Sequence, residues 1–357
     1  MAKFFGRIDL LLLLPAILLS ALGLMLIYST SFESDPSFFV RQAGYLVFAI
    51  VTFIILSQLD FKSLSYLAPF VYAFVILLLI FTFIVGIEVR GSVRWVDLGF
   101  VTIQGAELAK PVIVLFLAYF FIRFPTTNFR NFLIAIILIV IPIVIIAKQP
   151  DLSNSLVLFS TWLVMIFISG VNLVYLLMGA GVVLIAVPFV WNLFLKTYQK
   201  NRLLAFLNPS IDPQGVSYNI VQALIALGSG QLTGKGLGRG TQSHLNFLPE
   251  GRTDFIFSVA GEELGFVGVA LIILIFAFLI YRIIKMAARS INKETKLFIY
   301  GAAFILATQF FINAAMNMGI FPVSGVTLPF ISFGGSSIVS MFILLGLVQA
   351  AKNQTNK

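Results

Sequence analysis

The stretch RTDFIFSVAGEELGF, residues 252–266, sets three carboxylates in a mostly apolar run: Asp254, Glu262 and Glu263. The whole chain has only 14 acidic residues in 357, so their placement asks for a chemical reason. At a membrane boundary a carboxylate can take a proton from a hydroxyl, or pair with Lys or Arg on a neighbouring helix. Thr253 reads as the N-cap of the helix that follows, which makes Asp254 a first-turn carboxylate favoured by the helix dipole. On such a helix Asp254 shares a face with Ser258, Gly261 and Gly265, while Glu262 and Glu263 point elsewhere. The three acids are therefore not one cluster.

Other groups able to do chemistry are scattered. GSGQLTGKGLGRGTQ, 228–242, surrounds Lys235 and Arg239 with glycines that let backbone amides turn towards an anion. It is not a P-loop, because Gly236 rather than Ser or Thr follows the lysine. Glu107 and Lys110 in GAELAKP are three apart, so on a helix they can pair or face one cavity. AKQPDLSNS sets Lys148 and Asp151 at a helix junction, and Arg41 in FFVRQ opens an apolar run. Asn313 and Asn317 lie four apart at the start of NAAMNMGIFPVSGVTLPFISFGGSS, 313–337. That stretch breaks an apolar span with two prolines and several glycines, and irregular backbone at membrane depth needs burial or a water-filled cavity.

The elements that position these groups follow from composition. Hydrophobic residues make up 60% of the chain and charged ones 10%, and mean hydropathy is +1.06. No water-soluble domain hides that much apolar surface. Ten apolar runs lie near 10–28, 39–58, 67–86, 106–122, 131–147, 154–169, 172–195, 254–281, 297–318 and 331–350, each close to the length that crosses a bilayer. Pro15, Pro111, Pro142 and Pro188 fall inside runs, as membrane helices tolerate. The fold class is all-α: a polytopic membrane protein of about ten transmembrane helices. A large extracytoplasmic loop, about 196–253, separates spans seven and eight within a single domain, 1–357.

An even number of spans puts both termini on one side. Lys and Arg in short segments divide twelve against five in favour of that side, which predicts cytoplasmic termini. Absence of cysteine excludes disulfide and thiolate chemistry, and a single histidine, His244, excludes a histidine-rich metal site. The net charge of +9 reads as a topology and lipid signal, with no nucleic acid partner.

Several stretches together resemble the SEDS family (shape, elongation, division and sporulation proteins). They are GSVRWVDLGFVTIQGAELAK, KQPDLSNS, RLLAFLNPSIDPQGVSYNIVQALIALGSG, GKGLGRGTQSHLNFLPEGRTDFIFSVAGEELGFVG and the Asn313 to Ser337 segment. Five such stretches in family order, over nearly the whole chain, are specific. The LNFLPE wording and the short termini favour the elongation-type branch over the division-type paralogue. The resemblance implies a ten-span peptidoglycan glycosyltransferase of the plasma membrane. Such an enzyme polymerises lipid II on the outer face, onto glycan linked to undecaprenyl pyrophosphate, beside a class B penicillin-binding transpeptidase. It also implies Asp254 as the catalytic residue, and Arg41, Glu107, Lys110 and Asp151 in the cavity. Lys148, Arg202, Arg239, Arg252 and Ser336, which lie in or beside the matching stretches, join them as substrate-binding candidates. Arg252 departs from the family's histidine, which removes a histidine proton relay while leaving a cation. Gly105-Ala106 and Phe333 are further departures. With an α-linked donor and a β-linked product, one inverting displacement suffices. It needs a base for the acceptor hydroxyl and cationic help for the leaving pyrophosphate, which a divalent cation (Mg or Mn) can share. The alternatives are a lipid II flippase, whose polar groups should continue to the inner face, and a scaffold for the transpeptidase.

Overall fold

The structure, a computed structural model, describes residues 8–32, 35–89, 92–97, 99, 102–195, 197–208, 216–245 and 247–355. Among the described residues, nine helices are long and apolar enough to cross a membrane. They are α1 (Leu10–Ser31), α2 (Ser37–Gln58), α3 (Phe61–Val85), α4 (Gly105–Arg123), α5 (Phe129–Lys148), α7 (Leu173–Phe189, continued by a π-helical turn), α11 (Ile256–Arg289), α12 (Lys293–Asn317) and α13 (Gly335–Thr355). The apolar α6 (Leu152–Ile168), 17 residues long, takes the place of the remaining expected span. The expected prolines all lie inside helices. Side-chain caps start several of them: Asp9 accepts from Leu11 N, Asp60 from Ser63 N, Asn128 from Arg130 N and Asn292 from Glu294 N. Each satisfies an amide that the first turn leaves unpaired.

α4, α12 and α13 form the interior, with α2 packed on α13 and α11, α4 and α6 packed on α12. In contrast, α7 has no buried residue and presents its leucines and valines outward, as a lipid-facing helix does. Both termini meet at one end of the bundle, where Lys352 Nζ stands 2.7 Å from Asp9 Oδ2. This is the terminal end; the opposite one is the loop end.

Two loop-end segments carry secondary structure of their own. The polar stretch after α3 forms a three-stranded antiparallel sheet, β1 (Ile87–Val89), β2 (Ser92–Asp97) and β3 (Thr102–Gln104), with Ile87 opposite Trp95 and Trp95 opposite Gln104. The long segment between α7 and α11 holds α8 (Thr197–Leu207), α9 (Val216–Ser229) and the one-turn α10 (Thr241–His244). α9 packs on α11 through buried Ile220, Ala223 and Ala226, as its apolar content required.

α11 is broken at Gly265, whose φ of +68° and ψ of −168° are not helical. The turn that follows α9 fills the break. Gln231 O and Leu232 O accept from Phe266 N and Val267 N, and Lys235 N and Gly236 N donate to Glu262 O and Glu263 O, at 2.8–3.0 Å. Two i→i+4 helix bonds are thus replaced by four bonds to the loop, so no backbone group is orphaned. Gly234, at φ +80°, approaches so closely that a Cβ would strike Glu263 O. Glycine's missing side chain is what this seam requires.

Candidate active site

The acids of 252–266 separate into two roles. Glu262 is fully buried and saturated: it accepts from Lys235 Nζ (2.8 Å), Thr241 Oγ1 (3.2 Å), Gln242 N (3.0 Å), and Ser243 N and Oγ (both 3.0 Å). The glycine-rich loop therefore does turn amides towards an anion, but that anion is the protein's own Glu262. Glu263 accepts from Ser29 Oγ (2.7 Å) and pairs with His244 Nε2 (3.0 Å). Both acids hold the loop to α1 and α11.

Asp254 differs. It is half-buried and precedes α11, which starts at Ile256 with Phe255 as a cap residue that makes no side-chain bond. The expected Thr253 cap, first-turn carboxylate and shared face with Ser258, Gly261 and Gly265 are not formed. The reason is that other groups already hold the turn. Thr253 Oγ1 donates to Glu250 Oε2 (3.0 Å), and Ser332 Oγ donates to Thr253 O (2.6 Å). Phe333 N donates to Arg252 O (2.9 Å). Asn313 Nδ2 and Asn317 Nδ2 both donate to Asp254 O, at 2.9 and 3.0 Å. Asn317 Oδ1 accepts from Ser258 N (3.1 Å) and Ser258 Oγ (2.7 Å). The paired asparagines fix the backbone of Asp254. A side chain at Gly325 would come within 3.5 Å of Asp254 Oδ2.

The irregular 318–334 segment is pinned by a residue that the sequence reading missed. Gln42 on α2 is buried, donates to Ser332 O (3.2 Å) and accepts from Gly334 N (3.1 Å). A glutamine in an apolar run was the available signal. Arg94, also missed, lies in the RWVD strand and donates to Gln149 O (3.2 Å) and to Pro150 O.

The remaining candidates fall into three places. Around the start of α2, Arg41 is exposed, while Arg252 is half-buried, donates to Thr30 O (2.6 Å) and lies 4.8 Å over the Phe38 ring. Hydrogen bonds from Ser37 hold the nearby Asp35 carboxyl below its usual value, and the charges of Arg41 and Arg252 add to that. At the α5–α6 junction, Lys148 is exposed, whereas Asp151 is buried and caps α6 by accepting from Asn154 N (3.2 Å). Asp151 also accepts from Gln104 Nε2 (3.2 Å). Ser336 Oγ accepts from Gln104 N (2.9 Å), which ties β3 to α13. Arg202 lines a pocket beside this junction, and Arg239 is exposed on the glycine-rich loop.

Glu107 and Lys110 form a buried ion pair, Nζ to Oε1 2.6 Å, with Lys110 fully enclosed and Glu107 O accepting from Ser340 Oγ (2.6 Å). Both residues, expected among the substrate-binding groups, are buried in this structure. That two charges survive at this depth reflects their mutual pairing. Among the described residues, no three His, Cys, Asp or Glu gather as a metal site requires.

The apolar helices define an integral membrane protein. Residues 9–357 match the cell cycle protein family model of FtsW, RodA and SpoVE, and the chain belongs to that family. It is 37% identical over 344 residues to the peptidoglycan glycosyltransferase MrdB of Escherichia coli, covering 96% of this chain and 91% of that one. It is 33% identical over 362 residues to a probable peptidoglycan glycosyltransferase FtsW of Geobacter metallireducens, covering 97% and 95%. Among solved structures it is similar to a chain of a peptidoglycan synthase complex that coordinates polymerization and crosslinking, with a TM-score of 0.83, 29% identity and 98% of both chains covered. It is also similar to the rod shape determining protein RodA of Thermus thermophilus, with a TM-score of 0.73, 27% identity and 98% of both chains covered.

Proposed function

We propose that this chain, a glycosyltransferase of that family, polymerises lipid II into glycan strands during cell elongation with Asp254 as general base. One observation carries the assignment of the base. Of the three acids in 252–266, Asp254 alone is half-buried, at the loop end with its backbone fixed by two asparagine amides, whereas Glu262 and Glu263 are buried. The acceptor's 4-hydroxyl oxygen attacks the donor's anomeric carbon and forms the new glycosidic bond. The carbon–oxygen bond to undecaprenyl pyrophosphate breaks, its electron pair leaves with the diphosphate, and the hydroxyl proton passes to Asp254. Glycosidases flank their bond with two carboxylates; here the acceptor hydroxyl stands in place of water, and one base is enough. A divalent cation would take most of its ligands from diphosphate oxygens, since the described residues gather no acidic cluster. Activity lost to a chelator and restored by Mg or Mn tests that.

The site faces the outside of the plasma (inner) membrane, with both termini cytoplasmic, as the Lys and Arg distribution supports. A class B penicillin-binding transpeptidase is the partner, a reading supported by the similar chain from a complex that couples polymerization to crosslinking. Identity to MrdB favours elongation over division. The experiment is polymerisation of purified lipid II in detergent. Asp254→Asn should fold, insert and make no polymer; wild-type rates from that variant would remove Asp254 from the mechanism.

A further inference from the structure

A pocket of about 390 Å3 lies between the α5–α6 junction, α8 and the 321–324 segment. Two cations face it, Arg94 and Arg202, with Gln199 and Ser153, and no lining residue is acidic. Arg94 is set by its bonds to the carbonyls of Gln149 and Pro150, so its charge is presented by a fixed strand and junction. Leu156 and Phe159 of α6 also line it and are exposed on the flank of that apolar helix. Ser324 lines the pocket, and its neighbour Gly325 is the residue whose Cβ would meet Asp254 Oδ2 at 3.5 Å. The pocket and the carboxylate thus share one backbone segment.

We propose that this pocket binds the junction between diphosphate and isoprenyl chain of the donor, with Arg94 and Arg202 on the diphosphate and Leu156 and Phe159 on the first isoprene units. The inference rests on the glycosyl-transfer reading and says which end of which substrate lies where. In the donor, a diphosphate oxygen is bonded directly to the carbon under attack, so in an inverting displacement its anion lies just across that carbon from the base and the attacking hydroxyl. In the acceptor, the reacting hydroxyl is at the far end of a disaccharide, which carries that diphosphate away from Asp254. Arginine suits this task because its planar fork meets phosphate oxygens in pairs. The volume falls within the range for small-molecule pockets and is too small for a polyprenyl chain, so the remaining tail runs into lipid past Leu156 and Phe159. This assignment sorts the cations that could assist the leaving group: Lys110 is enclosed, Arg41 and Arg239 are exposed, and Arg202 and Arg94 line a cavity whose Ser324 adjoins Gly325.

The test is equilibrium binding of farnesyl diphosphate to the purified full chain in detergent. Wild type should bind saturably. Arg202→Gln should weaken binding at least tenfold, with Arg202→Lys recovering part of it. Inorganic pyrophosphate and farnesol should each compete at least tenfold less well than farnesyl diphosphate, since each lacks one half of the recognised junction. Phosphatidylglycerol should compete as poorly. Equal binding by Arg202→Gln, or equal competition from farnesol or phosphatidylglycerol, would overturn the proposal. Because Arg94 also holds two carbonyls, Arg202 carries the test. Asp254→Asn should bind farnesyl diphosphate like wild type. Polymerisation by that variant would sink the catalytic reading, whereas unchanged binding by Arg202→Gln would sink only the pocket.

Discussion

The two ends of the bundle use their charges differently. At the terminal end, polar groups close on one another. Asp9 N donates to Gln349 Oε1 (3.0 Å), and the Asp9 carboxylate pairs with Lys352 and Arg282. Arg123 pairs with Glu294 (3.0 Å) and lies 3.7 Å over the Tyr119 ring, while Ser65 donates to Glu294. At the loop end, Asp254 is half-buried and Arg202 lines a cavity, and the turn is shaped by bonds to the carbonyls of Thr253 and Asp254 and to the Glu250 carboxylate. One end is built to stay shut and the other to receive something. A translocation path would need polar groups open at both ends, which this contrast does not favour.

The contrast can be broken by mutation. The largest effect is expected at the seam: Gly265→Val forces a branched side chain into a left-handed position, and Cβ would strike Gly234 N. That variant should fail to accumulate as a monodisperse species in size-exclusion chromatography. Next comes Lys110→Ala, which leaves Glu107 enclosed without its cation; removing one partner of a buried pair costs about 3–5 kcal/mol. Thermal unfolding should fall clearly, and Glu107→Gln in the same chain should restore much of it. Normal stability in Lys110→Ala would make the pair a ligand site rather than a support.

Asn313→Ala should separate activity from stability. It removes one of two amides on Asp254 O, and loss of positioning by about 1 Å can cost about 100-fold in rate. A fall in kcat with little change in KM or melting temperature is expected; an equal loss of melting temperature would show that the loop end is also a structural lock. The smallest effect belongs to Asp9. Burial pushes its carboxyl up, but the hydrogen bonds and charges of Lys352 and Arg282 outweigh that and hold it below its usual value. A depressed carboxyl contributes stability that is present above its unfolded value of about 4 and is lost as pH falls through its folded value. Acidification below about pH 4 should therefore loosen the wild type more than Asp9→Asn, as read by proteolysis near the termini.

Much of this was legible because bilayer helices are announced by apolar length alone. The expected runs correspond to α1–α7 and α11–α13, and the apolar turns of YNIVQALIALGSG did pack, as α9. Legibility failed where a local pattern lost to a distant partner. Thr253 has cap chemistry, yet Glu250, Ser332, Asn313 and Asn317 hold that turn, three of them more than fifty residues away. Gly265 looked like one small residue on a helix stripe, and only the loop from Gln231 to Gly236 makes it a break. The sheet at 87–104 was hidden by its short strands. Glu107 and Lys110 were readable as a pair from their spacing, but not as an enclosed one.

The seam at Gly265 carries a consequence for protein engineering. Its four bonds run through main-chain atoms, so between Gln231 and Gly236 the chain is held by count rather than by lettering, save where glycine is needed and at Lys235, whose side chain pairs with Glu262. Swapping exposed side chains such as Leu232 should be harmless, whereas inserting or deleting a single residue there would shift every bond by one place and unzip the helix it mends.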